Sequence, residues 1–315
     1  MKKIKIAILM GGPSSEHEIS LKSGMNVYHN LPDKYLKIPI VIDKNLFWHI
    51  DGKKYSQRKA IKLLKEKKID LVFLTLHGKY GEDGKIQRIL NKAKIKFTGS
   101  EEKASKIGID KLKTYSVLKK HKILFPETYT ANEFIKKFKY NFPFPIVIKP
   151  NDGGSSIGVS ILKKDLNKKN FLKALNYAKK YSRKIIVQRY IEGLEVTCGV
   201  LGSRPLEPTL ILPQKRDFFD YFSKYSPNAT KEITPAPLEK KIIKKIKKTA
   251  IKVHKIIGCK HFSRTDMILS NNKIYVLEIN TIPGLTKTSL LPQQAKAKGI
   301  DFSLFLDKII KLALK

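Results

Sequence analysis

Residues 4–10 form a nearly unbroken apolar run that stops at Gly11-Gly12-Pro13. A strand covered on both faces reads this way, so the run predicts a buried parallel strand entering a tight turn. Ser15 and Glu18 have capping-box spacing, which predicts a helix starting there. Leu36–Ile42 and Leu71–Leu76 repeat the strand pattern, with helical periodicity between and after them. The layering is α/β, of the doubly wound parallel type, and ends near Gly99. Residues 100–120 read as helical. Phe144–Lys149 is a strand, followed by a Gly/Ser-rich turn over 151–158 and a returning strand, Val159–Leu162. A Lys-rich helix to about Tyr181 and a strand over Ile185–Gln188 follow.

The last third predicts strands near Glu195–Leu201 and Leu206–Leu212. Residues 213–237 are polar and aromatic without a period, too long for a routine connection, and read as a lid. Over 239–257 the apolar residues Ile242, Ile243, Ile246, Ala250, Val253, Ile256 and Ile257 share one helical face, with Gly258 as the expected cap. A hairpin over 263–280 and a final helix complete the chain. The expected division is an N-terminal α/β domain (1–99), a central module (100–187) and a C-terminal module (188–315).

Composition changes this picture little. The 315 residues carry 64 Lys+Arg against 27 Asp+Glu, a formal net charge of +37. Only seven of the 64 are Arg, leaving 57 Lys. Bidentate phosphate recognition favours Arg, so an AT-rich coding bias explains the charge better than nucleic-acid binding does. Cys198 and Cys259 make no pair motif and no metal spacing. No stretch approaches the roughly 18 apolar residues of a membrane helix, and the expected location is cytoplasmic.

Four constellations carry candidate chemistry. Glu278 and Asn280 are two apart on a strand and point to one face. With Asp266 on the preceding strand they offer two carboxylates and an amide oxygen, suited to a hard cation such as Mg²⁺, or else a polar hairpin end in water. Asp266 and Glu278 are 12 apart, an even number. To share a face they need an odd loop count or a bulge in the ladder. Lys149 ends a strand just before the 151–158 turn, whose N–H groups could wrap phosphate; the alternative is a plain hairpin turn. Lys111, at a helix start, is a weaker phosphate candidate. Arg264, with the Pro283-Gly284 turn, could hold a developing oxyanion, or Arg264 could make a structural ion pair. Ser289 lies at an expected helix start, where a carboxylate is well received. The turn from His77 to Gly84, together with Glu16 and His17, lies at the strand ends where open α/β sheets bind ligands.

The motifs Gly11-Gly12-x-x-x-Glu16-His17-x-x-Ser20, His77-Gly78-x-x-Gly81-Glu82-Asp83-Gly84, Ile148-Lys149-Pro150 and Gly154-Ser155-Ser156-x-Gly158 are followed by Phe219-Asp220-Tyr221, Lys224-Tyr225, Arg264-x-Asp266 and Glu278-x-Asn280-x-x-Pro283-Gly284. In this order they resemble the D-alanine–D-alanine ligases, which are ATP-grasp enzymes, over essentially the whole chain. The resemblance implies that two α+β modules sandwich ATP. Lys111 and Lys149 would hold its phosphates, the loop with Ser155 and Ser156 would close over them, Gln188, Tyr190 and Ile191 would border adenine, and Glu195 would bind ribose. Asp266, Glu278 and Asn280 would bind two Mg²⁺, with Mn²⁺ as a substitute. Glu16 would hold the first D-alanine's ammonium, with His77 on the substrate side. Arg264 and the Gly284 N–H would stabilise the tetrahedral oxyanion, and Ser289 and Lys224 would bind the second carboxylate. Tyr225 would link the lid to Ser155 or Ser156 and to Glu16. The family also implies a homodimer and no nucleic-acid or membrane partner. Two departures stand out: Gln188 where Glu is usual, and Arg88 where a small residue is usual. D-lactate or D-serine as second substrate is the near alternative, against which Tyr225 with Lys224 argues. A basic nucleic-acid-binding protein is the alternative from another class.

Overall fold

The computed structural model describes residues 3–141, 144–164, 166–213 and 230–315. The first sheet holds β1 (Ile4–Gly11), β2 (Tyr35–Ile42), β3 (Trp48–Ile50), β4 (Lys53–Tyr55) and β5 (Leu71–Leu74), in the order β4-β3-β2-β1-β5. β1 pairs in parallel with both β2 and β5, as its apolar run predicts. The antiparallel β3–β4 extension is not legible in the pattern: its strands are three residues each, with Trp48 and Ile50 turned into the core. The first helix spans His17–Asn30, and Glu16, not Ser15, is its N-cap, with no side-chain cap bond. The expected capping box does not form. Ser14 holds the entry instead: its Oγ accepts from the Glu16 N–H at 3.1 Å and donates to the His77 carbonyl at 2.7 Å.

The second sheet contains β6 (Thr128–Thr130), β7 (Ile146–Pro150), β8 (Ser160–Leu162) and β9 (Ile185–Arg189), in the order β6-β9-β7-β8. The β7–β8 hairpin presents the 151–158 turn at its end. Phe134, Phe171, Ile146 and Ile148 form the core beneath. A capping box does form here, between Thr130 and Glu133, and starts the Ala131–Phe138 helix.

The third sheet contains β10 (Leu194–Leu201), β11 (Arg204–Pro205), β12 (Thr209–Pro213), β13 (Thr230–Ile233), β14 (Phe262–Ser270) and β15 (Lys273–Asn280), in the order β13-β12-β10-β14-β15 with β11 beside β10. Part of the stretch expected to be irregular is therefore regular: Thr230–Ile233 pairs with β12. The Lys240–Ile257 helix buries Ile242, Ile246, Ala250, Val253 and Ile257, and Gly258 ends it at φ +82°. The residues expected to be one helix at the end make two, Leu290–Ala297 and Phe302–Leu314. The second returns to the first sheet, packing Phe305 and Ile309 in one core with Ile6, Ile8 and Phe73. Glu102–Ile109 and Lys111–Lys120 are separate helices, and Ala104, Tyr115 and Leu118 share a core with Ile246 and Val276. Cys198 and Cys259 are buried free thiols, each pushed up to about 12 by burial. Among the described residues no helix is long and apolar enough to cross a membrane.

Ile246 is fully buried at the centre of the helix-on-sheet core. Ile246→Ala should cost about 2–5 kcal/mol, the range for such truncations, and lower the urea midpoint. A midpoint within error of the parent would show that this core is not packed as described.

Candidate active site

The β14–β15 hairpin turns on Asn271-Asn272, both with positive φ (+46° and +58°). Such a two-residue turn fits the twist of a hairpin. By itself it would set Glu278 opposite Thr265, on the wrong face for Asp266. The register shifts between Asp266 and Met267: Met267 faces Val276, yet Asp266 faces Glu278. Leu277 is the extra residue, and the required bulge is present. Arg264 and Asn280 are the next pair on the same face.

Asp266 is 6 % exposed and saturated with donors. Its Oδ1 accepts from Arg264 Nε at 2.8 Å and Thr197 Oγ1 at 2.6 Å. Its Oδ2 accepts from Arg264 Nη2 at 2.7 Å and Asn280 Nδ2 at 3.0 Å. That fills the four lone-pair positions of a carboxylate. The structural ion pair left open for Arg264 is therefore real. Burial works against its charge, but Asp266, Glu278 and Glu82 outweigh it and raise the guanidinium's pKa. Glu278 pairs with Lys111 Nζ at 3.1 Å, and the same ammonium donates to the Gly153 carbonyl at 2.8 Å. Lys111 thus ties the hairpin to the 151–158 turn. Among the described residues no three His, Cys, Asp or Glu side chains surround one point; the third donor beside Asp266 and Glu278 is an amide. Two carboxylates and an amide oxygen on one face are the donor chemistry a hard divalent ion takes; to hold one, Asp266 would exchange one of its four donors for the ion, the Asn280 N–H at 3.0 Å being the longest of them.

A cleft between the second and third sheets is lined by Lys111, Lys149, Ser156, Gln188, Tyr190, Ile191, Glu195, Asp266 and Glu278. Its walls include the apolar Val147, Ile161 and Leu277. The sequence-predicted ATP residues therefore lie together, apart from Ser155.

A second cavity is lined by Glu16, His77, Glu82, Ser155, Arg264, Gly284 and Ser289. Ser155 Oγ donates to Glu16 Oε1, joining the turn to the first sheet. His77 is used by the framework at both ring nitrogens. Nδ1 lies 3.0 Å from the Ile282 carbonyl, which can only accept, so Nδ1 carries the proton and Nε2 accepts from Ser23 Oγ at 2.8 Å. Ser23 Oγ in turn accepts from the Leu285 N–H. His77 thereby fixes the Pro283-Gly284 turn, and burial lowers its pKa, keeping it neutral. Glu82, within the His77–Gly84 turn, has a bracing role that its local sequence does not signal. Its two oxygens accept from the Gly78 N–H at 3.0 Å and the Ile282 N–H at 2.9 Å, bracing the same turn. Ser289 is the N-cap residue of the Leu290–Ala297 helix, yet its Oγ accepts from the Thr286 N–H instead of capping. Arg88 stays out of this cavity and forks onto Glu102 at 2.8 and 2.6 Å. Lys224 and Tyr225 lie outside the described residues.

Residues 104–311 match the family described as D-ala D-ala ligase C-terminus, and residues 5–67 and 51–100 match D-ala D-ala ligase N-terminus. The D-alanine–D-alanine ligase of Pseudothermotoga lettingae is 42 % identical over 315 residues, 99 % of this chain and 100 % of that one. The chain belongs to the D-alanine–D-alanine ligase family. The Syntrophobacter fumaroxidans member is 37 % identical, covering 100 % of this chain and 99 % of its own. Among solved structures, the VanG D-Ala:D-Ser ligase from Enterococcus faecalis superposes with a TM-score of 0.86 at 32 % identity, over 99 % of this chain and 100 % of that one. The Bacillus anthracis D-alanine–D-alanine ligase complexed with ATP gives 0.80 at 31 % identity, over 99 % and 97 %. The ATP-grasp architecture expected from the motifs is therefore the architecture found.

In this ligase the cavity electrostatics are testable. Burial, then the Glu16 charge, push Glu82 from 4.5 up to about 7. The folded state binds more protons than the unfolded chain between those values, so this group's contribution to stability falls as pH rises across that window. Glu16→Gln removes the like charge and should bring the Glu82 titration down while leaving it above 4.5. Carbon-13 NMR of labelled glutamates reads it; an unmoved titration would show that the two carboxylates do not interact.

Proposed function

We propose that the chain joins two D-alanines into D-alanyl-D-alanine, with ATP cleaved to ADP and phosphate, for peptidoglycan precursor synthesis. The observation that carries this reading is a shared wall: Gly154 and Glu278 line both the nucleotide cleft and the amino-acid cavity. A γ-phosphoryl group held in one lies next to a carboxylate held in the other, the condition for in-line transfer.

Glu16 binds the ammonium of the first D-alanine. A carboxylate oxygen of that D-alanine attacks the γ-phosphorus, ADP leaves, and an acyl phosphate forms. The second D-alanine loses a proton from its ammonium and its amine attacks the acyl carbon. Arg264 and the Gly284 N–H receive the negative charge on the tetrahedral oxygen. Phosphate departs with the original carboxylate oxygen, leaving the amide. Lys111 and Lys149 hold the phosphates and Ser289 the second carboxylate. The 151–158 turn keeps water from the acyl phosphate. Asp266, Glu278 and Asn280 would hold two Mg²⁺, or Mn²⁺, which supply charge neutralisation on the phosphates. A homodimer belongs to the same reading, and sedimentation velocity checks it.

The superposition with a D-Ala:D-Ser ligase supports D-serine as a second reading of the second substrate. The Lys224-Tyr225 pair in the sequence favours D-alanine. Phosphate release from ATP, measured with D-alanine, L-alanine, D-serine or D-lactate, separates them. Release should require D-alanine, and mass spectrometry should find D-alanyl-D-alanine. Turnover that needs D-serine for the second position would reassign the substrate.

Arg264→Ala should lower turnover roughly 10²- to 10³-fold, the scale for one preorganised donor. Arg264→Lys should rescue only in part, since the fork onto Asp266 is lost. A fully active Lys variant would confine Arg264 to its ion pair.

A further inference from the structure

The surroundings of Gln188 fix its amide in one orientation. Its side chain is 2 % exposed and lines the nucleotide cleft. Its Nε2 lies 3.0 Å from Tyr115 Oη and 2.7 Å from Thr128 Oγ1. The orientation of an amide is normally an assignment. Here the two hydroxyls decide it. Tyr115 Oη is 2.5 Å from the Leu277 carbonyl, and Thr128 Oγ1 is 2.6 Å from the Pro126 carbonyl. A carbonyl oxygen only accepts, so each hydroxyl spends its single proton there. Both hydroxyl oxygens are then left as acceptors. Only the NH₂ end of Gln188 can satisfy them, and its two N–H groups match the two acceptors. Burial also raises the Tyr115 pKa, so that hydroxyl keeps its proton. Oε1 is consequently turned away from both hydroxyls, and among the described residues no donor reaches it.

We infer that Tyr115 and Thr128 lock the Gln188 amide as an acceptor, so that the cleft selects purine nucleotides bearing a 6-amino group and rejects 6-oxo purines. This rests on reading the cleft as the nucleotide site. A 6-amino group donates to Oε1. A 6-oxo group would set two acceptors against each other, and the amide cannot turn over without stranding both N–H groups. Tyr115 and Thr128 are positioning residues: they set which face of Gln188 the base meets.

The test compares ATP with ITP, which replaces the 6-amino group by a 6-oxo group. Calorimetry reads binding directly and D-alanine-dependent phosphate release reads turnover. The parent protein should favour ATP by about tenfold or more. Thr128→Ala, at a half-buried edge position, and Tyr115→Phe should each lower the ATP:ITP binding ratio by freeing the amide to rotate, and the double variant should bring it near unity. Gln188→Leu, which deletes the acceptor, should lose the preference with both hydroxyls intact. KM for D-alanine should stay unchanged in Thr128→Ala. Equal binding of ATP and ITP by the parent would overturn the inference. So would a full preference in correctly folded Thr128→Ala and Tyr115→Phe proteins. Selective ATP binding without any D-alanine ligation would sustain the lock and instead sink the ligase reading.

Discussion

Between the Arg264–Asn280 and Ser270–Lys273 pairs, the β14–β15 ladder carries one residue more on its second strand than on its first. The turn on Asn271-Asn272 fixes a register in which Asp266 and Glu278 would lie on opposite faces, and the bulge at Leu277 undoes that. Once it does, Arg264, Asp266, Glu278 and Asn280 make two facing pairs. Everything else at the site is arranged around them. Thr197 on β10 completes the shell of Asp266, Lys111 answers Glu278, and the Gly153 carbonyl is bonded to the same ammonium. The bulge also frees the Leu277 carbonyl for Tyr115, so the displacement that aligns the carboxylates starts the chain of hydrogen bonds ending at Gln188. The aligned carboxylates and the Gln188 amide are thus tied to one irregularity in one ladder.

Burying several charges in one place is costly unless each is answered. Asp266 has a bidentate guanidinium and two further donors. Glu278 has an ammonium. Glu82 has two backbone N–H groups and, among the described residues, no cation in contact, and burial pushes its carboxyl up to about 7. His77 stays neutral between a carbonyl and a hydroxyl. The Pro283-Gly284 turn is therefore set by neutral or nearly neutral braces, with the Arg264 guanidinium as a cation beside it. In the proposed mechanism, holding Asp266 would not compete with stabilising an oxyanion, because the fork that pins the guanidinium would also preorganise it.

The long elements were legible because their patterns are long. β5 shows as an unbroken apolar run, β1 and β2 as runs interrupted by Lys5 and by Lys37, and the Lys240–Ile257 helix as a stripe ended by Gly258. β3 and β4 were not, because three residues carry too little alternation to stand out. The boundary between the two final helices falls at Lys298-Gly299, where Gly299 at φ +77° ends the first and the Asp301 side chain caps the second, a stop and a start that the sequence does carry. Ser15 and Glu18 had the spacing of a cap, but Ser14 holds the helix entry and Glu16 is drawn away to Ser155. At the site, Asp266, Glu278, Asn280 and Arg264 could be named from two-residue spacing and turn chemistry. Parity required either a bulge or an odd turn; which of the two needed coordinates. Glu82, Tyr115 and Thr128 act through partners 200, 162 and 60 residues away, and no local pattern encodes such distances.

The central claim is that a carboxylate of the first amino acid is phosphorylated in a closed site and then displaced by an amine. D-alanine labelled with ¹⁸O in its carboxylate tests it most directly. Single turnovers with ATP should give inorganic phosphate carrying one ¹⁸O from the carboxylate, together with the dipeptide. Phosphate without label, or label transferred to AMP, would contradict an acyl phosphate formed from the γ-phosphoryl group.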